Sequence, residues 1–484
     1  MSLTGALNNA LSGLYANSRK SEIVASNIAN AGTPGFHRRS LEVSAALLGD
    51  RGGVRVNGVV RHTDAALLYD RRMSGADFAR NDALTQFLAG YEDRLGTPDI
   101  PYSLTGRLAS FENALITAAS RPDAQERLDG MVIAAKSLAQ SLNDTSDAIQ
   151  DDRSRADREI NTQVNTANDL LKQLQTINGQ IAKSSGAGRD NAALEDHRDT
   201  LVDQLSQMIP LRTVSRAQGA IAIYSTGGTV LLDGAAAELG FDQTYSVAAG
   251  MVVDPGALSG LTVNGNAIKT ASETSPLRGG SLIAQFAIRD ELATEAQAQL
   301  DAIARDLMVR FENITEDTTR APGDPGLFTD LGGTFDPADE IGLANRITIN
   351  ASVDPDQGGA SWRIRDGLNA AAPGEVGNAS LLQAMTDALN LKQPATSGDF
   401  GSGSFTMSGL AANLTSQVGS DRLFADQRLS FASTQLNELT QRELADGVDT
   451  DAELQRMMVI EQAYAANARI MQTVDELMDI LMRL

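Results

Sequence analysis

The chain has 484 residues, enough for about two to four domains with a real core, and a net charge of -22 at pH 7. That acidity makes nucleic acid and anionic membrane surfaces poor partners. With no cysteine, disulfides, thiolate metal centres and cysteine nucleophiles are excluded, and no apolar run approaches the length of a membrane span.

The first element is a narrow apolar stripe. Leu3, Leu7, Ala10, Leu14, Asn17, Ser21, Val24 and Ile28 recur every three or four residues, the seam of one helix burying against another. The segment 1–31 lacks a basic start, an apolar core of the right length and a small-residue cleavage site, so no secretory signal is expected. The stripe runs into Ser26-Asn27-Ile28-Ala29-Asn30-Ala31-Gly32-Thr33-Pro34-Gly35-Phe36. Asn30 and Gly32 tolerate positive φ and are expected to end the helix. Pro34-Gly35 forces a turn, and Phe36 can pack back on the helix end.

Residues 55–64 read as a short extended or irregular piece. A helix is expected over 65–95, broken by Pro98 and Pro101, and another over 104–120. Arg121-Pro122-Asp123 stops that one and starts a longer helix, with proline in its first turn. It runs to Lys183 with one weak region near Asp151, and its second half carries a seam of Ile160, Val164, Ala167, Leu171, Leu174, Asn178 and Ile181. Two downstream stripes supply partners: Leu282, Phe286, Ala293, Ala296, Leu300, Ile303 and Leu307, then Val418, Ala425, Leu429, Ala432, Leu436 and Leu439. Together the three predict a helical bundle with long crossovers.

The crossovers have another texture. Residues 211–277 are rich in Gly, Thr, Val and Ser, with strand-like runs at 220–224, 229–232 and 260–263. Gly227-Gly228, Asn264-Gly265 and Pro255-Gly256 supply turns. Residues 323–373 repeat the pattern with Arg346-Ile347-Thr348-Ile349-Asn350 and Trp362-Arg363-Ile364. Residues 394–403 are a Gly/Ser/Pro linker. The last element mirrors the first: Met457, Ile460, Tyr464, Asn467, Met471, Val474, Met478 and Leu481 repeat at coiled-coil spacing, and the two ends are expected to pair. The fold class is mainly α with inserted β.

Chemistry is sparse. His37, His62 and His197 stand far apart without ligand spacing, so each reads as a packing or surface residue. No zinc-protease, phosphate-loop, dinucleotide or Gly-x-Ser-x-Gly motif occurs. Asp354-x-Asp356-x-Gly358 resembles the start of a calcium loop but lacks the later bidentate glutamate. Asp446, Asp449, Asp451 and Glu453 lead into the final helix, where acidic residues favour the N-terminal dipole. No catalytic residue, cofactor or metal is expected.

Four motif regions carry a family resemblance. Residues 26–36 strongly resemble the signature segment of the axial proteins of the bacterial flagellum. Gly32-Thr33-Pro34-Gly35-Phe36 followed by Arg38-Arg39 is most similar to the hook-associated protein 1 family. Ile177-Asn178-Gly179-Gln180-Ile181, then Asn191, Leu194, Asp196, Arg198-Asp199 and Leu201-Val202-Asp203-Gln204-Leu205-Ser206, resemble that family's central signature. So do Gly279-Gly280-Ser281-Leu282 and Arg289-Asp290, and residues 448–484 resemble the shared axial C-terminus with Tyr464, Ala466 and Ala468 in place. The expected organisation is a terminal coiled-coil domain from 1–60 with 446–484, a bundle from 61–210 with 276–315 and 376–445, and β-rich outer inserts at 211–275 and 316–375.

The resemblance implies a non-enzymatic, self-assembling subunit joining hook to filament. It would be exported by the flagellar type III system and reside outside the cell after a transient cytoplasmic stage. Implied partners are further copies of the chain, hook protein, hook-associated protein 3 and an export chaperone on the C-terminal helix. Nucleic acid and membrane insertion are not implied. A rod or hook subunit, or a type III-exported enzyme such as a cell-wall hydrolase, are the alternatives.

Overall fold

The computed structural model describes residues 3–46, 52–253, 256–271 and 274–483. Pro255 of the expected Pro255-Gly256 turn lies outside them. Helix α1 (Leu3–Ala29) leads into an antiparallel hairpin of β1 (Arg39–Ala45) and β2 (Val54–Arg61), whose register shifts between Glu42 and Val43.

Helix α2 (Ala65–Leu95) starts where the Asp64 carboxylate accepts from the amides of Ala66 and Leu67, and stops at Gly96 with φ 70°. Ser103 caps α3 (Leu104–Ser120) by accepting from the Gly106 amide. Both helices follow the sequence expectation because cap and breaker are local, side-chain-encoded signals.

Helix α4 (Gln125–Gly186) runs 62 residues without a break, about 93 Å at roughly 1.5 Å per residue. The weak region expected near Asp151 is absent. There Ile149, Asp152, Arg153 and Ala156 are buried, and Asp152 is held by Arg94 and Arg155. Tertiary contacts outweigh the low local apolarity. Pro122 precedes the helix instead of occupying its first turn, since the cap residue is Ala124.

Helix α5 (Ala192–Met208) folds back on α4. It is followed by the sheet β3 (Leu211–Ser215), β4 (Ile221–Ser225), β5 (Val230–Asp233) and β6 (Ala235–Ala236), and by the sheet β7 (Leu239–Gly240), β8 (Leu261–Val263) and β9 (Asn266–Ile268). Asn264 at φ 52° and Gly265 at φ 77° form the two-residue turn between β8 and β9, the left-handed pair that such hairpins need. These sheets, α5 and α6 (Gly280–Ala287) cover the second half of α4 through Ile160, Leu171, Leu174, Val202, Ile223, Leu232, Leu261 and Phe286.

After a π turn at Ile288–Leu292 comes α7 (Ala293–Glu312). It packs on the first half of α4 and on α3 in a second core, where the rings of Phe111, Phe311 and Phe328 lie 5.9, 5.6 and 5.3 Å apart. All seven residues of the first expected partner stripe, Leu282 to Leu307, are buried.

Residues 323–373 depart from a β unit. They hold one pair of three-residue strands, β10 (Phe328–Asp330) and β11 (Ile347–Ile349), with single helical turns α8 (Leu343–Arg346) and α9 (Arg363–Asp366). Trp362-Arg363-Ile364 is therefore helical, not extended: Ile364 enters the core, Arg365 donates to the Pro122 carbonyl at 3.0 Å, and Gly367 at φ 116° ends the turn.

Helix α10 (Ser380–Asn390) closes the α3 core. The second partner stripe lies on α11 (Met407–Ala445), but α11 runs along α2 instead of the far half of α4. Of its six expected positions Val418 and Ala432 are buried and the rest half-buried. The far half of α4 is already taken by α5 and the sheets. The chain ends in α12 (Thr450–Arg483), which pairs with α1.

Candidate assembly interface

The α1–α12 pair is antiparallel. Ser21 Oγ donates to Met457 Sδ at 3.2 Å, Asn27 reaches Glu453, and Gly13 faces Asn467 so closely that a Cβ would sit 2.8 Å from its Nδ2. On α1 the buried positions are Ala10, Gly13, Ala16, Asn17, Val24 and Asn27. The contact line is rotated about one position from the expected stripe, so Leu3, Leu7, Leu14 and Ile28 are only half-buried. Small residues on the facing side let the two backbones approach, and the larger side chains straddle the contact.

On α12, Val474 is buried and Met457, Ile460 and Met471 are half-buried. Tyr464, Met478 and Leu481 depart from the expected seam, being 48, 49 and 58% exposed. A second heptad line lies one residue earlier: Val459, Ala463, Ala466, Ile470, Thr473, Leu477 and Ile480. Its large members, Val459, Ile470, Leu477 and Ile480, are exposed. Across the pair, Leu11, Tyr15, Val54 and Tyr464 border an open groove beside β2. The helix pair is thus apolar on a face that the described residues do not cover. Sequence reading missed the second line because the first satisfied the same spacing.

The motif after α1 forms a β-turn in which the Phe36 amide donates to the Thr33 carbonyl at 3.1 Å and Gly35 takes φ 77°, as a type II turn with Pro34 at its second position requires. Asn30 and Gly32 do not adopt positive φ. Instead the Asn30 amide donates to the Ser26 carbonyl at 3.1 Å, the Asn30 side chain donates to it at 2.9 Å, and the Thr33 amide donates to Asn30. Phe36 lies under the Arg39 guanidinium at 4.8 Å. Asn27, fully buried, donates to the Arg39 carbonyl at 2.8 Å and accepts from its amide at 3.0 Å, fixing β1 against the helix.

The turn motif and the central signature meet here, His37 and Asp196 lying 159 residues apart in sequence. A Cβ on Gly35 would lie 2.6 Å from Thr200 Oγ1. Asp196 on α5 receives Arg39 at 2.5 Å and Arg61 at 2.6 Å, with His37 Nδ1 at 3.0 Å. Arg61 also bonds Asp199, and its Nη2 lies 2.7 Å from His37 Nδ1. That nitrogen either accepts from Arg61 or, when protonated, donates to Asp196. From α2, Arg72 binds Asp203 at 2.6 Å, and Arg71 bridges Asp203 at 2.6 Å to Glu443 of α11 at 2.5 Å.

Burial pushes the Asp196 carboxyl up, but the hydrogen bonds of His37 and Arg39 and the charge of Arg61 outweigh it and hold it below the carboxylate range. Asp199 behaves the same way, burial being overcome by Arg61 and Arg72. The network clamps the hairpin, and with it the terminal helices, to the bundle. His37 belongs to it, whereas His62 bonds Ser40 at 2.8 Å and His197 is exposed.

A further buried charge cluster sits mid-bundle. Arg289, in the π turn, bonds Asp157 at 2.7 Å and Asp290 at 2.8 Å, with the Phe286 ring 5.1 Å away. Asp354, Asp449 and Glu453, also read from sequence, have partners within the fold. Asp354 caps a helical turn and holds Lys136 at 3.1 Å. Asp449 accepts from the Asp451 and Ala452 amides at the start of α12, while Glu453 turns inward. Among the described residues no group of His, Asp and Glu could hold a metal ion, and no helix is long and apolar enough to cross a membrane.

Three family models match in chain order: "Flagella basal body rod protein" over 7–37, "Flagellar hook-associated protein FlgK helical domain" over 93–328, and "Flagellar basal body rod FlgEFG protein C-terminal" over 445–484. The first and last cover the paired helices and the turn motif. With both ends joined in one helix pair, the chain is a structural protein of the bacterial flagellum. Flagellar hook-associated protein 1 of Bacillus subtilis is 26% identical over 94% of this chain and 93% of its own length. That of Escherichia coli is 24% identical over the whole of both chains. A solved flagellar hook junction protein FlgK from Burkholderia pseudomallei is 20% identical, covers 54% of this chain and 46% of its own, and has a TM-score of 0.45. The chain is thus similar to flagellar hook-associated protein 1 over nearly its whole length, and its helices from 93 to 328 match that family's helical domain.

Proposed function

We propose that this chain is a non-enzymatic subunit of the junction between flagellar hook and filament, built into the axial structure by its terminal helices. The observation that carries this is the uncovered apolar line Val459, Ile470, Leu477 and Ile480 beside the α1–α12 contact. Exposed apolar surface of this extent invites burial by further subunits. Lateral neighbours would be copies of the same chain, with hook protein on one side and hook-associated protein 3 on the other, outside the cell. The terminal pair (1–60 with 446–484) would form the inner wall and the helices around α4 the body, with the segments 211–275 and 316–375 outward. Chain deletion should leave hooks and abolish filaments in electron micrographs. Loss of hooks as well would favour a rod or hook subunit.

Before export, α12 would be covered by a chaperone gripping the same face that later meets α1. Methionine side chains at Met457 and Met471 suit a surface with two successive partners. Replacing Met471 and Val474 with Asp should weaken chaperone binding and block incorporation. Replacing Leu7 and Leu14 with Asp should block incorporation alone. Normal chaperone binding by the Met471/Val474 variant would sink this reading.

A further inference from the structure

A cavity of about 390 Å³ opens where α7, the loop before α11 and the first half of α11 meet. Its charged lining is acidic: Glu295 from α7, Asp399 from the loop and Asp421 from α11. None of the three is ion-paired to a Lys or Arg among the described residues. Burial raises the Glu295 carboxyl, and the charges of Asp421 and Asp399 raise it further, so the three carboxylates act on one another. Asp399 is also held at φ 53°, a conformation uncommon outside glycine.

A second observation is independent of the charge. Gln299 is 8% exposed, lines the same cavity, and its amide has no hydrogen-bond partner among the described residues. Gln417 Oε1, also in the lining, is buried and unpaired. A buried amide oxygen such as that of Gln417 is unfavourable until a donor reaches it. The lining therefore presents carboxylates and amide groups to a cation that donates hydrogen bonds.

We propose that this cavity binds an organic cation carrying several N–H donors, an alkylammonium or guanidinium group. A bare metal ion fits less well, because no group of three acidic or histidine ligands converges among the described residues. A cation with spread-out donors can reach separated acceptors, as guanidinium does with carboxylates. The group could arrive on a free polyamine or on a basic side chain of a neighbouring subunit.

The test uses full-length protein and putrescine in calorimetry at constant ionic strength, with Mg²⁺ as competitor. Saturable binding is expected, weakened at least tenfold by Glu295→Gln with Asp421→Asn and at least threefold by Gln299→Leu. The first two replacements lie at the surface and leave folding intact, which thermal melts check. Equal binding by the variants, or full competition by Mg²⁺ at matched ionic strength, overturns the proposal. Sedimentation then separates the sources. Putrescine that disperses self-associated chains points to a neighbour's side chain, and unchanged self-association points to the free cation.

Discussion

Asn27 Nδ2 donates to Glu453 Oε2 at 3.1 Å across 426 residues, inside a contact where both side chains are buried. The same amide group bonds both backbone atoms of Arg39, so one side chain joins α1, the hairpin and α12.

Asn27→Ala should therefore loosen all three. It leaves the Arg39 amide and carbonyl and one Glu453 oxygen short of a partner, at about 1–3 kcal/mol for each group that stays buried. Hydrogen exchange in α1 and β1 should rise while exchange in α3 and α7 stays unchanged. Uniform exchange across the chain would count against a local clamp.

Gly35→Ala should destabilise the hairpin–bundle contact by about 1–3 kcal/mol, because φ 77° is strained for alanine and the new Cβ meets Thr200 Oγ1. Adding Thr200→Ala removes the collision but not the strain. Denaturant unfolding of the double variant should recover only part of the loss.

The clamp should be acid-labile. Asp196 and Asp199 are depressed in the folded chain, so their stabilisation is complete above the ordinary carboxylate value of about 4 and is lost as pH falls through the lower folded values. Asp196→Asn should lower the melting temperature at pH 7 and flatten the fall below about pH 4. An unchanged acid limb would show that the carboxylate is not linked to folding.

Asp301 works in the opposite sense. Burial lifts it to about 6, despite hydrogen bonds from the Ala344 and Gly342 amides and Gln297. Its contribution is whole below the ordinary value and is lost as pH rises through about 6. The difference in melting temperature between the wild type and Asp301→Asn should shift towards the variant between about pH 4 and 6 and level off above.

The Arg289–Asp157 pair is fully buried. Arg289→Met alone should cost about 3–5 kcal/mol by stranding Asp157, and the double replacement Arg289→Met with Asp157→Leu should cost much less. Additive losses in denaturant melts would mean the two side chains act separately.

What the sequence revealed follows how far each signal reaches. Helices α2 and α3 were legible to the residue because Asp64, Gly96 and Ser103 act within a few positions. The pairing of the ends was legible as two matching stripes, but not its rotation, which Gly13 and Asn27 set by close approach. Ile364 has strand-like neighbours and is drawn into a helical turn by the core. The clamp was hidden: Asp196, Arg198 and Asp199 read as a signature, and His37 as a lone histidine. Only folding shows that Asp196 and Asp199 hold Arg61 and that His37 lies beside them.

The bond between Asn27 and Glu453 also sets an order in time. Residues 27 and 453 have 425 others between them, so synthesis from the N-terminus delivers the first long before the second. The body around α4 can condense while α12 is still being made. The paired helices close last, so the apolar line beside them is complete only once the whole chain exists.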